Sequence, residues 1–108
     1  MTLDENRFST LADDRLESIG DAVDEALGDR IDVDYLGGIL TLTLQGGGQY
    51  VINKHAPNRE IWLSSPVSGA AHFGYTDGAW VSTREPRMVL EQVLASELTG
   101  KYGVDVVF

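Results

Sequence analysis

The hydrophobic positions near the start of the chain follow the period of an α-helix. From Phe8 to Leu27 apolar residues recur three and four positions apart, which places them on one stripe of a helix. A capping box formed by Thr2 and Glu5 predicts where this helix begins, and Gly28 predicts where it ends. We therefore expect one long amphipathic helix.

After Asp29 the period of the hydrophobic pattern changes to two, which is typical of strands. Ile31 to Tyr35 alternate with aspartates, and Leu40 to Leu44 alternate leucine with threonine, with glycine turns after each run. Further short strands are predicted at residues 50–53, 61–64, 71–75 and 79–82. Five or six strands in hairpin order predict an antiparallel sheet.

A second helical pattern follows Pro86 and is predicted to end at Gly100, before an apolar tail that should dock on the rest of the chain. The order helix, strands, helix predicts an α+β two-layer sandwich, with both helices on one face of the sheet. A chain of 108 residues holds one ordinary hydrophobic core. We expect a single domain over residues 1–108.

Charge is concentrated at the start of the chain. The net charge is −9, and residues 1–34 contain 11 of the 17 acidic residues against three arginines. Such a field repels nucleic acid phosphates and anionic membrane surfaces, and it attracts cations and basic proteins. We therefore expect no binding to nucleic acid or to a membrane.

The sequence lacks two features that would indicate other classes of site or location. The chain contains no cysteine, which excludes disulfides, thiolate metal sites and cysteine nucleophiles. No apolar run reaches the roughly 20 residues of a membrane span, and the segment MTLDEN does not have the pattern of a signal peptide. We expect a soluble intracellular protein; an initiator methionine directly before the domain favours the bacterial cytoplasm, with a mature mitochondrial matrix protein as the alternative.

The first helix presents a row of carboxylates opposite its apolar stripe, and it contains no lysine. Two aspartates on the next strand are expected to continue the cluster across the sheet edge. Exposed carboxylates of this kind suit Ca²⁺, Mg²⁺, Mn²⁺ or Fe²⁺ weakly, and their spacing does not select one metal. The alternative is a solvated acidic face without a ligand. The candidate ligands, which we call the acidic ridge, are Asp13, Asp14, Glu17, Asp21, Asp24, Glu25, Asp32 and Asp34.

Trp62 occupies an unusual position in its predicted strand. Side chains alternate between the two faces of a strand, so Trp62 shares a face with Glu60, and Ile61 shares the other with Leu63. If both helices cover the Ile61 face, Trp62 faces solvent or a protein partner, unless a further layer or the chain terminus covers it. Recognised catalytic motifs are absent, and His55 and His72, the only histidines, are first interpreted as surface residues.

Several motifs together resemble a known family. The segment YVINKHAPNREIWLSSPVSG, residues 50–69, combines Asn-Lys, Pro-Asn, Ile-Trp-Leu and Ser-Ser-Pro pieces in order. With LDENRF, DGAWV and LEQVLASELTG, it resembles frataxin, whose bacterial members are the CyaY proteins. The resemblance runs nearly end to end, and mitochondrial frataxins match residues 50–69 more closely than the common bacterial members do.

The resemblance implies a helix, sheet, helix sandwich and a role in iron–sulfur cluster assembly with cysteine desulfurase and its scaffold protein. It implies Fe²⁺, and also Fe³⁺, as the bound metal on the acidic ridge, with other divalent cations held weakly. In this family the partner contacts the open sheet face, which here contains Asn53, Ile61 and Trp62. The chain departs from the mitochondrial pattern at His55 and Glu60, where glutamine is usual, and at His72, where arginine is usual. The predicted partner-binding residues are Asn53, His55, Glu60, Ile61, Trp62 and His72.

Three functions compete at this point. We expect a non-catalytic iron donor or regulator of iron–sulfur assembly that is monomeric without iron. The first alternative is a weak ferroxidase with an iron-storage role, in which carboxylates favour Fe³⁺ and so assist oxidation of Fe²⁺ by oxygen. The second is an acidic protein-binding module whose metal binding is incidental.

Overall fold

The computed structural model describes residues 4–108 of the chain. Two helices flank six strands, and a short 3₁₀ turn, Ala56–Asn58, lies between the third and fourth strands. The elements are α1 (Glu5–Leu27), β1 (Ile31–Leu36), β2 (Ile39–Leu44), β3 (Gln49–His55), β4 (Glu60–Ser65), β5 (Gly69–Thr76), β6 (Ala79–Ser82) and α2 (Leu90–Tyr102).

The sheet is an antiparallel meander in which each strand pairs with the next along the chain, from β1 to β6. Both helices pack on one face of this sheet, as the order of the elements predicted. The alternation of buried and exposed residues follows the predicted pattern, with Leu40 and Leu42 of β2 fully buried and Thr43 exposed. The predicted α+β sandwich is confirmed.

Helix α1 is capped by an aspartate at its N-terminus. The predicted capping box starts at Thr2, which lies outside the described residues. Asp4 is the cap residue of the structure, and its carboxylate accepts a 2.7 Å hydrogen bond from the Arg7 backbone N–H. Gly28 ends the helix as predicted, although with a right-handed backbone, φ −61°. A Cβ atom at Gly28 would lie 2.4 Å from the Asp24 carbonyl oxygen, so the position has room for glycine alone.

The buried stripe of α1 forms the core together with the inner sheet face. Phe8 packs edge-on against Trp80, with ring centroids 6.0 Å apart, and this contact ties the start of α1 to β6. Helix α2 buries Leu90, Leu94 and Leu98 against the same core. Val106 in the last residues of the chain is 5% exposed, which confirms that the tail docks on the domain. Within residues 4–108, neither helix is long and apolar enough to cross a membrane.

The predicted end of α2 at Gly100 is wrong. The helix continues through Gly100 and ends at Gly103, whose left-handed φ of 68° lets its N–H bond to the Thr99 carbonyl at 2.8 Å. A glycine inside a helix destabilises it by only about 1 kcal/mol relative to alanine, and the burial of Leu98 offsets that amount.

A single carboxylate, that of Glu97, joins α2 to the sheet through a cluster of hydroxyl groups. Glu97 accepts three hydroxyl hydrogen bonds: from Tyr50 at 2.8 Å, from Ser65 at 2.6 Å and from Ser68 at 2.6 Å. Burial and the neighbouring Glu97 carboxylate raise the pKa of the Tyr50 phenol well above its ordinary value. The Ser65 hydroxyl also accepts from the backbone N–H groups of Val67 and Ser68, so the same cluster orders the turn between β4 and β5.

Candidate functional site

Three aromatic rings form a stack on the open face of the sheet. The Trp62 indole lies between two imidazoles, with its ring centroid 3.6 Å from that of His55 and 4.1 Å from that of His72. The planes are tilted by 10° and 7°, so all three rings are nearly parallel. Trp62 pairs directly with Asn53 on β3 and with His72 on β5, so the strand register brings these residues together. We call His55, Trp62 and His72 the ring stack.

Glu60 fixes the orientation of the ring stack. Its Oε1 atom accepts a 2.8 Å hydrogen bond from the Trp62 indole N–H, and the same oxygen lies 3.8 Å from His72 Nδ1. Trp62 is half-buried by these neighbours rather than by another layer of the protein. The ring stack therefore presents an ordered aromatic edge to solvent on the face that the helices leave open.

One predicted partner residue does not belong to this surface. Ile61 is 0% exposed, because strand alternation points its side chain into the core beneath the helices. The prediction that Ile61 contacts a partner is wrong. Asn53 lies beside Trp62 on the open face, where it is half-buried and its amide donates to the Lys54 carbonyl. The structure thus brings five of the six predicted partner residues together: Asn53, His55, Glu60, Trp62 and His72.

The acidic ridge divides into two groups in the structure. Asp14, Glu17, Asp21, Asp24 and Glu25 are exposed along α1, and none of them forms an ion pair with another described residue. Within residues 4–108, no three carboxylate or histidine side chains lie close enough together to hold a metal ion. The α1 group is therefore a row of separate carboxylates rather than a preformed chelating cage.

Asp32 and Asp34 form the second group, and they do not continue the row on α1. Val33 and Tyr35 of β1 point toward α1, with the Tyr35 hydroxyl bonded to Asp13. The aspartates alternate with these residues and so lie on the opposite, open face of the edge strand. The two groups of carboxylates therefore lie on opposite faces of the sheet edge, and Asp32 and Asp34 as metal ligands stay a prediction.

Asp13 differs from the other ridge residues because its carboxylate already has two partners. It accepts a 2.6 Å hydrogen bond from the Tyr35 hydroxyl, and the Lys54 ammonium lies 3.0 Å away. Partial burial alone raises the pKa of the Asp13 carboxyl, but the Tyr35 hydrogen bond and the Lys54 charge outweigh it and hold that pKa below its ordinary value. A metal ion at this carboxylate would compete with the positive charge of Lys54.

A signal for this contact was present in the sequence but was not used. Lys54 shares strand parity with the buried residues Tyr50 and Ile52, so its ammonium points toward the helix side of the sheet. An inward-facing lysine needs a carboxylate partner, because an unpaired charge at a partly buried site is costly. The acids on α1 were the available partners.

We predict that Asp13→Ala lowers the free energy of unfolding by about 1 kcal/mol at pH 7, because the contact to Lys54 is partly solvent-screened and the bond to Tyr35 is a single hydrogen bond. The matched control is Asp14→Ala, an exposed neighbour on the same helix. Because folding lowers the pKa of Asp13, its contribution is present at neutral pH and lost as the pH falls below 3.8. Urea denaturation at pH 7 and pH 3 tests this; equal stability of the two variants at pH 7 would contradict it.

Comparison with known proteins agrees with the fold and the motifs. The family profile of the frataxin-like domain matches residues 1–104. The mitochondrial frataxin homologue of Schizosaccharomyces pombe is 42% identical over 79 residues, which are 71% of this chain and 49% of that protein. The chain thus spans about half the length of this curated relative.

Two solved structures have the same architecture. Frataxin from Psychromonas ingrahamii superposes with a TM-score of 0.84 over 96% of each chain at 24% identity, a likeness of fold. Trimeric frataxin from Saccharomyces cerevisiae, complexed with ferrous iron, superposes with a TM-score of 0.76 at 36% identity, over 95% of this chain and 89% of that one. With the profile match over residues 1–104, these findings show that the chain belongs to the frataxin family.

Proposed function

We propose that this protein binds ferrous iron weakly on α1 and acts as an iron donor or regulator of iron–sulfur cluster assembly, through the complex of cysteine desulfurase and scaffold protein. The observation that carries the proposal is the separation of two surfaces. The carboxylates lie on α1, whereas the ring stack lies on the sheet face that the helices do not cover. Iron and a protein partner can therefore be bound at the same time.

The iron part of the proposal is supported by the donor set and by a relative. Carboxylate oxygens are hard ligands that suit Fe²⁺ weakly and Fe³⁺ more strongly, and other divalent cations bind such sites without much selectivity. The yeast frataxin of similar fold is complexed with ferrous iron. Iron is a cargo in this proposal, and separate carboxylates that do not enclose an ion are suited to releasing it.

We predict that Asp21→Lys weakens Fe²⁺ binding several-fold and leaves the fold intact. Asp21 is exposed and unpaired, and a lysine there also removes like-charge repulsion with Glu17 and Glu25, four positions away on the helix. The melting temperature should therefore rise slightly, by an amount that shrinks as salt is added. Paramagnetic broadening of NMR signals during an anaerobic Fe²⁺ titration measures binding.

The control for this prediction is Glu85→Lys, which introduces the same charge change at an exposed loop residue that lines a cavity containing no residue of α1. It should leave the broadening of residues 14–25 unchanged. Broadening centred on His55 and His72 would contradict the proposal, because those imidazoles lie on the other face of the sheet.

The assembly role is tested by reconstitution. The rate of cluster formation by purified desulfurase and scaffold is measured with this protein added or omitted, with ferrous iron and a sulfur source present. The proposal expects the rate to change in proportion to added protein until the complex is saturated. An unchanged rate with the partners that match this chain would contradict it.

One observation favours a second candidate function, a protein-binding module whose carboxylates dock a basic partner. Among the described residues the α1 carboxylates are not gathered into a chelating group. In that case partner binding would persist in the presence of a chelator and would fall when Asp21 or Glu25 is neutralised. The proposed iron function instead requires that Asp21→Lys reduce the effect on cluster formation while leaving partner binding unchanged.

The proposal includes a monomer in the absence of iron, although the yeast relative of similar fold is trimeric. We place the activity in the bacterial cytoplasm, with the mitochondrion of the fission yeast relative as the alternative compartment. Sedimentation with and without Fe²⁺ tests the oligomeric state, and detection of the tagged protein in fractionated cells of its source tests the compartment.

A further inference from the structure

Half of strand β5 lacks a partner on one side. Strand β6 pairs only with Phe73–Thr76, whereas β4 pairs with β5 as far back as Gly69. The last contact on the β6 side is a 2.9 Å hydrogen bond from the Thr83 N–H to the His72 carbonyl, after which the chain leaves the sheet. The first residues of β5, Gly69–Ala71, therefore present an open strand edge.

The open edge exposes a specific pair of backbone groups. Along a strand, the N–H and C=O groups of alternate residues point to the same side. Since the His72 carbonyl points toward β6, the Ala70 N–H and C=O point the same way, and the register of β5 with β4 is continuous through both residues. Within the described chain no strand pairs with Ala70 on this side. The Ala70 N–H and C=O groups are thus available to pair with a further strand.

A cavity of about 280 Å³ lies where the missing strand segment would run. Its walls are β5 on one side and the loop from Ser82 to Met88 on the other. The buried Ser82 hydroxyl holds that loop back, because it donates toward the carbonyls of Arg84 and Pro86 and accepts from the Met88 N–H. The loop is therefore ordered clear of the edge instead of closing over it.

The charges around the cavity indicate the kind of segment that fits. Arg84 lines it and forms no ion pair with another described residue, whereas Arg87 and Glu85 compensate each other at 3.3 Å. Glu85 lines the cavity as well, and because Arg87 compensates it, the loop over residues 82–88 carries a net charge of +1 in a protein of net charge −9. The acidic row lies on α1, which packs mainly over β1, β2 and β3, toward the other side of the sheet. Ala71 and Met88 give the cavity an apolar part.

We propose that the edge of β5 at Gly69–Ala71 is a docking site for an extended acidic segment of a partner protein, which adds to the sheet beside Ala70 and places a carboxylate at Arg84. Main-chain hydrogen bonds to an open sheet edge supply affinity in this mode, and pockets for alternate side chains supply selectivity. The site goes beyond the function proposed above, since it uses the edge of β5 and the loop after β6. His72 lines the cavity and is the one residue that this site shares with the ring stack.

The probe for the test is a hexapeptide of alternating aspartate and valine, blocked at both ends, titrated into ¹⁵N-labelled protein. Binding should shift the backbone amide signals of Gly69–His72 and slow hydrogen exchange at Ala70 at least tenfold. Arg84→Glu should weaken binding at least fivefold, and a peptide with lysine in place of aspartate should not bind. Ala70→Pro should abolish binding, because it removes the edge N–H.

Two further measurements keep the test decisive. If Ala70→Pro disturbs the fold, the same main-chain hydrogen bonds can be removed from the peptide instead. A peptide N-methylated at its central residues lacks the N–H groups that would bond to the edge of β5, and it should not bind. Trp62→Ala should leave peptide affinity unchanged, which separates this site from the proposed partner surface.

Three results would overturn the proposal. The first is shifts centred on Trp62 instead of Ala70. The second is undiminished binding of the N-methylated peptide. The third is edge shifts that grow with protein concentration alone, which would assign the edge to a second copy of this chain.

Discussion

Trp62→Ala is expected to weaken the complex with the assembly partner by about 2 kcal/mol while lowering the stability of the fold far less than a core truncation would. The indole lies on the open face, where His55, His72 and Glu60 contact it, so its removal returns those side chains to water and opens no cavity in the core. Aromatic side chains at the centre of an interface carry much of its binding energy. Calorimetric titration of the partner and urea denaturation of the free protein measure the two effects.

The matched control is the adjacent residue on the same strand. Leu63 is 2% exposed and points into the core, so Leu63→Ala should lower the free energy of unfolding by about 2 to 5 kcal/mol. Fe²⁺ binding should be unchanged in Trp62→Ala because the α1 carboxylates lie on the other side of the sheet. A severe loss of stability in Trp62→Ala, or undiminished partner affinity, would contradict the prediction.

Glu97→Ala is expected to lower the free energy of unfolding by about 3 kcal/mol, the largest effect we predict for a polar residue. The substitution removes a charged acceptor from three hydroxyls at once and leaves the buried Tyr50 hydroxyl without its partner. It also separates α2 from the turn between β4 and β5. Thermal and urea denaturation at pH 7 measure the loss.

Two control variants test the size of the expected loss of stability. Ser96→Ala, at an exposed position on the same helix, should be nearly neutral, and Ser68→Ala should remove only one of the three bonds and about 1 kcal/mol. Folding raises the pKa of Tyr50, so its contribution is present below pH 10.0 and declines as the pH rises above that value. This loss of stability at high pH should be smaller in Glu97→Ala, because the neighbouring carboxylate is gone. Equal stability of Glu97→Ala and Ser68→Ala at pH 7 would contradict the prediction.

The sequence was sufficient to predict the elements whose residues repeat regularly. The stripe from Phe8 to Leu27 and the alternation around Leu42 each determine which face is buried, and the order of the elements then determines the layers. Gly100 was misassigned because two glycines lie near the end of α2 and the local pattern does not decide between them. In the structure Gly103, not Gly100, has the left-handed backbone that ends the helix.

The candidate site was predictable in its residue types but not in all its contacts. Strand parity placed Trp62 on the open face, and the same parity, applied consistently, would have excluded Ile61. Strand parity indicates that Lys54 faces the helices and needs an acidic partner, but local periodicity does not identify Asp13 as that partner, because the contact joins residues 41 positions apart. The stacking of His55 on Trp62 depends in the same way on the register between strands.

The parallel rings around Trp62 affect how fast a protein partner can bind to this surface. A free surface tryptophan samples several rotamers, and a partner must select one of them, which subtracts from the binding free energy. Here His55 and His72 hold the indole in one orientation before any partner arrives. The two histidines therefore restrict the indole to one rotamer before the partner binds. Replacing either histidine with alanine should lower the rate of association, even if the partner makes no contact with an imidazole.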